Sequence, residues 1–199
     1  AQDSGGIWIH GSSPERSVMQ ALRPIFDECA AIVSYPREDY LLRVTRCMSL
    51  ADSLLFPEAR GPVLSHFRKF KEETKGHTLE DLEELYTRTF DVNPVCSLEL
   101  GWHLYGETYE RGAFMVQMRD LLKRCGIEES SELPDHISHV LLSLSRMSAE
   151  EAEVFVSTRF MKAIDKMISG FADKNNPYEH VMKAVRELAV PFVTSQTGA

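Results

Sequence analysis

The sequence predicts an all-α protein, a bundle of about eight or nine helices, and three observations carry that expectation. Apolar residues recur at spacings of three and four along almost the whole chain. No segment alternates apolar and polar residues convincingly enough for a strand. The periodic segments are joined by short connections marked by Pro, Gly, Asn and helix-capping residues, as in antiparallel bundles. The 199 residues suffice for one domain with a sizeable core or two small helical lobes.

Taken in order, Val18, Leu22, Phe26, Cys29 and Val33 form a first stripe, kinked or restarted at Pro24, which has no N–H for the preceding turn. Leu41, Val44, Met48, Ala51 and Leu55 form a second, after Tyr35-Pro36. Pro62 suits the first position of a third helix bearing Val63, Phe67 and Phe70. Thr78-Leu79-Glu80-Asp81 reads as a capping box ahead of Leu82, Leu85, Tyr86 and Phe90. Asp91 to Cys96, with Asn93-Pro94, breaks that helix. A short helix from about Ser97 to Tyr105 follows, stopped by Gly106. Phe114, Met118, Leu121 and Cys125 make a longer one, with Gly126 placed as a left-handed cap. Glu128 to Pro134 is acidic and aperiodic, so a hinge or linker is expected near 127–135. Beyond it come Ile137, Val140, Leu141 and Leu144. Ser148 with Glu151 then caps a helix carrying Phe155, Phe160, Ile164 and Ile168, and Asn176-Pro177 opens a last helix with Val181, Val185 and Leu188. The expected organisation is a flexible N-terminus over 1–13 and a single all-helical domain over 14–199.

The bulk numbers narrow the function. Hydrophobic residues make up 43% of the chain and the net charge is −8, which argues against nucleic-acid binding, where a basic face must displace phosphate counterions. The four cysteines, Cys29, Cys47, Cys96 and Cys125, are scattered with no C-x-x-C, so reduced thiols in a cytoplasmic protein are expected rather than a disulfide scaffold or zinc site. Ala1 to Ser13 has neither a basic n-region nor an apolar h-region, and no apolar run approaches the roughly 18 residues of a membrane span.

No reactive constellation stands out, and the expectation is that the protein is not an enzyme. His136 and His139, three apart, and Glu99 and His103, four apart, are spaced so that each pair could share a helix face, but no Glu-x-x-His occurs for a carboxylate-bridged metal pair. Lone pairs of this kind are more often surface or hydrogen-bonded residues, so no metal is expected. A nucleophile elbow, a P-loop and a dinucleotide fingerprint are all absent. Three acidic blocks remain: Glu80 to Glu84, Glu128 to Asp135, and Glu150 to Glu153. The first and third sit at helix starts, where carboxylates favour the positive end of the dipole. The middle block lies in the linker and is the candidate for meeting a basic partner.

The stretch from Tyr86 to Ile137 resembles a known family. Tyr86-Thr87-Arg88-Thr89-Phe90-Asp91, then Ser97-Leu98-Glu99-Leu100, is similar to respiratory nitrate reductase delta-subunit chaperones of the NarJ/TorD type. His103-Leu104-Tyr105-Gly106-Glu107, Glu110-Arg111-Gly112 and Glu132-Leu133-Pro134-Asp135-His136 resemble further blocks in the same order. The resemblance implies a TorD-like helical fold and a cytoplasmic assembly chaperone, monomer or weak dimer. Its partner would be the catalytic molybdenum subunit of a respiratory reductase or dehydrogenase, bound at its N-terminal segment. It would bind no cofactor stably itself but assist insertion of molybdopterin guanine dinucleotide into that client, before export or membrane attachment. In the related TorD/DmsD branch an acid-x-x-Asp-His motif lies in the linker, and Glu132, Asp135 and His136 fall on it. Gly101-Trp102 and Tyr105 depart from the family's pattern, which leaves the client's identity open.

The expected binding residues are therefore Tyr86, Phe90, Leu98 and Trp102 as walls of a groove, together with Glu99, His103, Arg111, Glu132, Pro134, Asp135 and His136. Ordinary core duty competes for Phe90 and Leu98, Arg111 is expected to pair with an acid, and Asp135 is expected to cap the helix that follows it. Asp135→Ala is then expected to weaken client binding more than it lowers the melting temperature. Two other classes stay open: a generic helical adaptor, and a nucleotide- or small-ligand-binding helical protein.

Overall fold

Every apolar stripe read from the sequence falls on a helix, with Val33, Leu55 and Cys125 one residue past the ends of theirs. The structure, a computed structural model, describes residues 14–92 and 96–194, so the expectation for residues 1–13 and the break at Asn93-Pro94 lie outside the described residues. α1 spans Pro14–Ile32, α2 Tyr40–Leu54, α3 Pro57–Glu73 and α4 Leu79–Tyr86, which runs on into a π-helical turn over Thr87–Asp91. α5 spans Leu100–Tyr105, α6 Tyr109–Arg124 and α7 Ile137–Leu144. α8 (Ala149–Phe155) and α9 (Met161–Ser169) form one rod through a second π-helical turn, Val156–Phe160, and α10 (Tyr178–Ala189) and α11 (Pro191–Thr194) close the chain. The fold is all-α, and the four-residue α11 is an element the sequence reading did not anticipate.

Local chemistry explains most boundaries. Thr78 and Asp81 exchange the two hydrogen bonds of a capping box, as do Ser148 and Glu151. Gly126, at φ 64°, ends α6 with a double latch: its N–H donates to the Lys123 carbonyl and that of Ile127 to the Leu122 carbonyl. Two prolines behave otherwise than expected. Pro57, not Pro62, occupies the first turn of α3, and Pro62 lies inside that helix. Pro24 likewise sits inside α1, which does not restart there. Each proline forfeits one backbone bond, which the burial of Leu22, Ile25 and Phe26 beside Pro24, and of Val63, Leu64 and Phe67 beyond Pro62, outweighs.

The buried apolar side chains of α1 through α11 join in one contiguous core. α10 packs along α3 and α9, α1 lies between α2 and α7, and α5 bridges α6 and α9. Tyr178 sits at the centre, with Phe90 at 4.9 Å, Phe70 at 5.5 Å and Tyr86 at 5.9 Å between ring centroids. The linker after α6 folds back over α6 and α7, and there most of the expected binding residues gather.

Candidate functional site: a polar joint and a neighbouring groove

Two short extended pieces meet where the linker ends. Glu99 and His136 pair as an isolated antiparallel bridge, the Ile137 N–H donates to the Leu98 carbonyl at 2.8 Å, and the Leu100 N–H donates to the Asp135 carbonyl at 2.9 Å. Pro134, which keeps Leu133 from helical geometry, sets up the extension on one side. The pairing also explains why α5 begins at Leu100 rather than Ser97: Glu99 is committed to the bridge.

Asp135 is completely buried. Its Oδ2 accepts the Gly101 N–H at 2.9 Å, so Asp135 caps the first two N–H groups of α5 through its carbonyl and its carboxylate together. That corrects the expectation that it caps the following helix. His136 does so instead, its Nδ1 accepting the Ser138 N–H at 3.2 Å. An extended residue must precede a helix to cap it, and the bridge places His136 there. The Arg111 Nε lies 4.0 Å from Asp135 Oδ2, too far for a hydrogen bond. Both Arg111 Nε and Asp135 Oδ1 are buried without one. Burial raises the Asp135 pKa, against the Gly101 N–H and the Arg111 charge, which lower it.

Gly101 is required by this packing. A Cβ there would stand 2.6 Å from Asp135 Oδ2 and 3.0 Å from Phe114 Cδ1. The sequence reading noted Gly101 as a departure from a family pattern; only the fold reveals it as the residue that admits the carboxylate.

Histidines pin the rest. Burial pushes His136 down to about 4, and an Nδ1 that accepts an N–H leaves the proton of the neutral ring on Nε2. His139 ties two points within the linker, donating from Nδ1 to the Leu133 carbonyl at 2.9 Å and accepting at Nε2 from the Ser130 N–H at 3.3 Å. His139 was not among the expected binding residues; its spacing from His136 was the available signal. His103 Nε2 meets the Ser97 carbonyl at 2.7 Å, and burial lowers its pKa. Ser97 hydrogen-bonds the Glu99 carboxylate.

The outer face of the joint is half-buried. The Arg111 guanidinium lies 5.5 Å from the centre of the Trp102 ring. Glu132 feels Glu99 and Asp91, and burial with these two like charges raises its pKa. The structure thus brings Leu98, Glu99, Trp102, His103, Arg111, Glu132, Pro134, Asp135 and His136 to one place. Tyr86 and Phe90 belong to the aromatic core, and Leu98 is buried as well. These three are packing residues here, not groove walls. The rings of Tyr86 and Phe90, packed against Tyr178 of α10, gain more by burial than by lining a cleft.

A groove of about 820 Å³ does exist close by, between α6 and α8. Tyr105, Met118, Leu121, Met147, Val154 and Phe155 supply its apolar lining, and Arg124 with Glu151, 2.9 Å apart, bridges part of its rim. Among the described residues no group of three His, Cys, Asp or Glu side chains could hold a metal ion, and no helix is long and apolar enough to cross a membrane.

The profile of the nitrate reductase delta subunit family matches residues 55–182. The chain belongs to that family. The matched stretch contains the whole joint and both walls of the groove. Within the nitrate reductase delta subunit family, the nitrate reductase molybdenum cofactor assembly chaperone NarJ of Escherichia coli strain K12 is 34% identical to this chain over 73 residues, which is 36% of this chain and 31% of that relative. NarJ of Escherichia coli O157:H7 matches to the same extent. The match thus spans about a third of these curated relatives, whose names describe chaperones and not catalysts. A solved structure described as a redox enzyme maturation protein from Archaeoglobus fulgidus superposes with a TM-score of 0.52 at 21% identity, covering 92% of this chain and 98% of that one. That likeness shows the fold to be that of the archaeal protein.

Proposed function

We propose that this protein is a cytoplasmic assembly chaperone for a molybdopterin-dependent respiratory oxidoreductase. In this reading it grips the N-terminal segment of the unfinished catalytic subunit while molybdopterin guanine dinucleotide is inserted, before export or membrane attachment. Membership of the nitrate reductase delta subunit family is the observation that carries it. The chaperone name of the Escherichia coli relatives supports it further.

The α6–α8 groove is the surface proposed for the client. Micromolar binding corresponds to about 8 kcal/mol, and several apolar side chains at ~1.5–3 kcal/mol each supply that after ordering costs. Val154, 60% exposed on the groove wall, is available for such a contact. The half-buried outer face of the joint, with Trp102, Arg111, Glu99 and Glu132, is proposed as a polar contact beside the groove rather than part of its lining. Asp135 and His136 act through the backbone they position, since neither reaches the surface. Asp135→Ala is therefore expected to lose stability and binding in parallel, unlike the expectation drawn from sequence.

The test is capture of the tagged full chain from cells grown under anaerobic respiratory conditions. Recovery of a large molybdopterin-binding subunit is expected, with Val154→Glu recovering at least tenfold less at an unchanged melting temperature. Captured partners that include no such subunit would sink the reading.

A further inference from the structure

Cys29 on α1 and Cys47 on α2 are fully buried, and their sulfurs lie 3.6 Å apart. A single buried cysteine is ordinary packing, a small apolar side chain in a helix seam. Here two thiols from different helices are each other's hydrogen-bond partner. A disulfide needs about 2.05 Å between sulfurs, so side-chain rotation and a slight approach of two already packed helices would close the gap. The other thiols differ. The Cys96 sulfur points to the Met167 carbonyl at 3.5 Å, and Cys125 lies half-buried at the end of α6.

We propose that Cys29 and Cys47 form a reversible disulfide that staples α1 to α2 when the surrounding thiol–disulfide balance turns oxidising. The oxidant is a small-molecule disulfide such as oxidised glutathione. One protein thiolate attacks it, its S–S bond breaks, and one glutathione thiolate leaves and takes up the proton the protein thiol lost. The second protein sulfur, deprotonated in turn, attacks the mixed disulfide and expels the second glutathione thiolate, which is protonated likewise. Two protein thiols are oxidised and one disulfide is reduced to two thiols.

Burial makes the exchange slow in the closed fold. The hydrogen bond with Cys47, in which the neutral Cys29 thiol is favoured, followed by burial, holds the Cys29 thiol well above its ordinary pKa, so reaction proceeds through transient opening of the α1–α2 seam. The staple would also stiffen the support behind the joint, because α1 packs on α7, whose cap is His136. This inference rests on α1 and α2 alone and is independent of the client.

The full chain is incubated with oxidised glutathione in sub-denaturing urea, alkylated and digested. The expected result is a loss of two hydrogens from the intact mass and a linked peptide pair containing Cys29 and Cys47. The melting temperature should also rise by several degrees and fall back with dithiothreitol. Cys47→Ala should show neither the link nor the rise. Cys29 and Cys47 recovered as free thiols, or carrying glutathione without a link, would overturn the proposal. The digest of the unmodified chain decides this by itself, even if Cys47→Ala folds poorly.

Discussion

The aromatic core around Tyr178 and the polar joint around Asp135 are both buried, yet they obtain order by opposite means. In the core, rings from α2, α3, the end of α4 and α10 pack edge-to-face, and the polar tips are satisfied. The Tyr40 hydroxyl donates to the Ile32 carbonyl at 2.9 Å and meets the Tyr178 hydroxyl at 3.1 Å. In the joint, a carboxylate, a guanidinium and an imidazole share a confined space, and two polar atoms lack hydrogen bonds. Apolar packing tolerates any side chain of about the right volume, whereas a polar constellation works only with particular atoms at particular distances. The core therefore supplies stability, and the joint supplies a single defined geometry at some expense of stability.

The largest expected effect tests the first half of this contrast. Phe90→Ala removes the ring nearest Tyr178 and should cost ~3–5 kcal/mol in urea unfolding, while Phe90→Leu should recover more than half of that. A loss below about 1 kcal/mol for Phe90→Ala would mean the aromatic core is not the main support.

The second expectation separates the regions by pH. His136 has its folded pKa depressed to about 4, against roughly 6.5 in an unfolded chain. Above pH 6.5 both states hold a neutral ring and its contribution to stability is fully present. As pH falls towards 4 the unfolded chain takes a proton the folded one refuses, so stability falls, by about 3 kcal/mol in total. Asp135, with its pKa raised, opposes this in part, since it favours the folded state as pH falls. His136→Asn keeps a capping acceptor and removes the titration, so its melting temperature should fall much less between pH 6.5 and 4. An identical fall in the variant would place the acid sensitivity elsewhere, with the half-buried His66 and His103, both lowered by partial burial, the next groups to replace.

The smallest expected effect is the most specific to the joint. Gly101→Ala adds one methyl group against Asp135 and Phe114 and should cost about 1–3 kcal/mol by overpacking. If the alanine variant melts with the unmodified chain, the close approach of the carboxylate is not a constraint.

Much of this fold was legible in advance because helix signals are local. Capping boxes at Thr78 and Ser148, Gly126 and the three-and-four stripes act within a turn or two of their own sequence. The proline misreading has the same root: whether a helix continues through Pro24 or Pro62 depends on burial supplied by distant elements. The joint was half legible. Its residues were picked out by likeness to a family, but their roles were not, since Asp135 caps a helix 34 residues earlier in the chain.

By itself, the sequence determined most of the helices, their apolar faces and the absence of a recognisable catalytic signature, because periodicity and capping are properties of neighbouring residues. The tertiary structure alone decided that Tyr86, Phe90 and Leu98 are core, that Gly101 makes room for a buried Asp135, and that the open groove runs between α6 and α8. Those outcomes depend on which faces meet across the chain, and long-range packing fixes that where no local rule reaches.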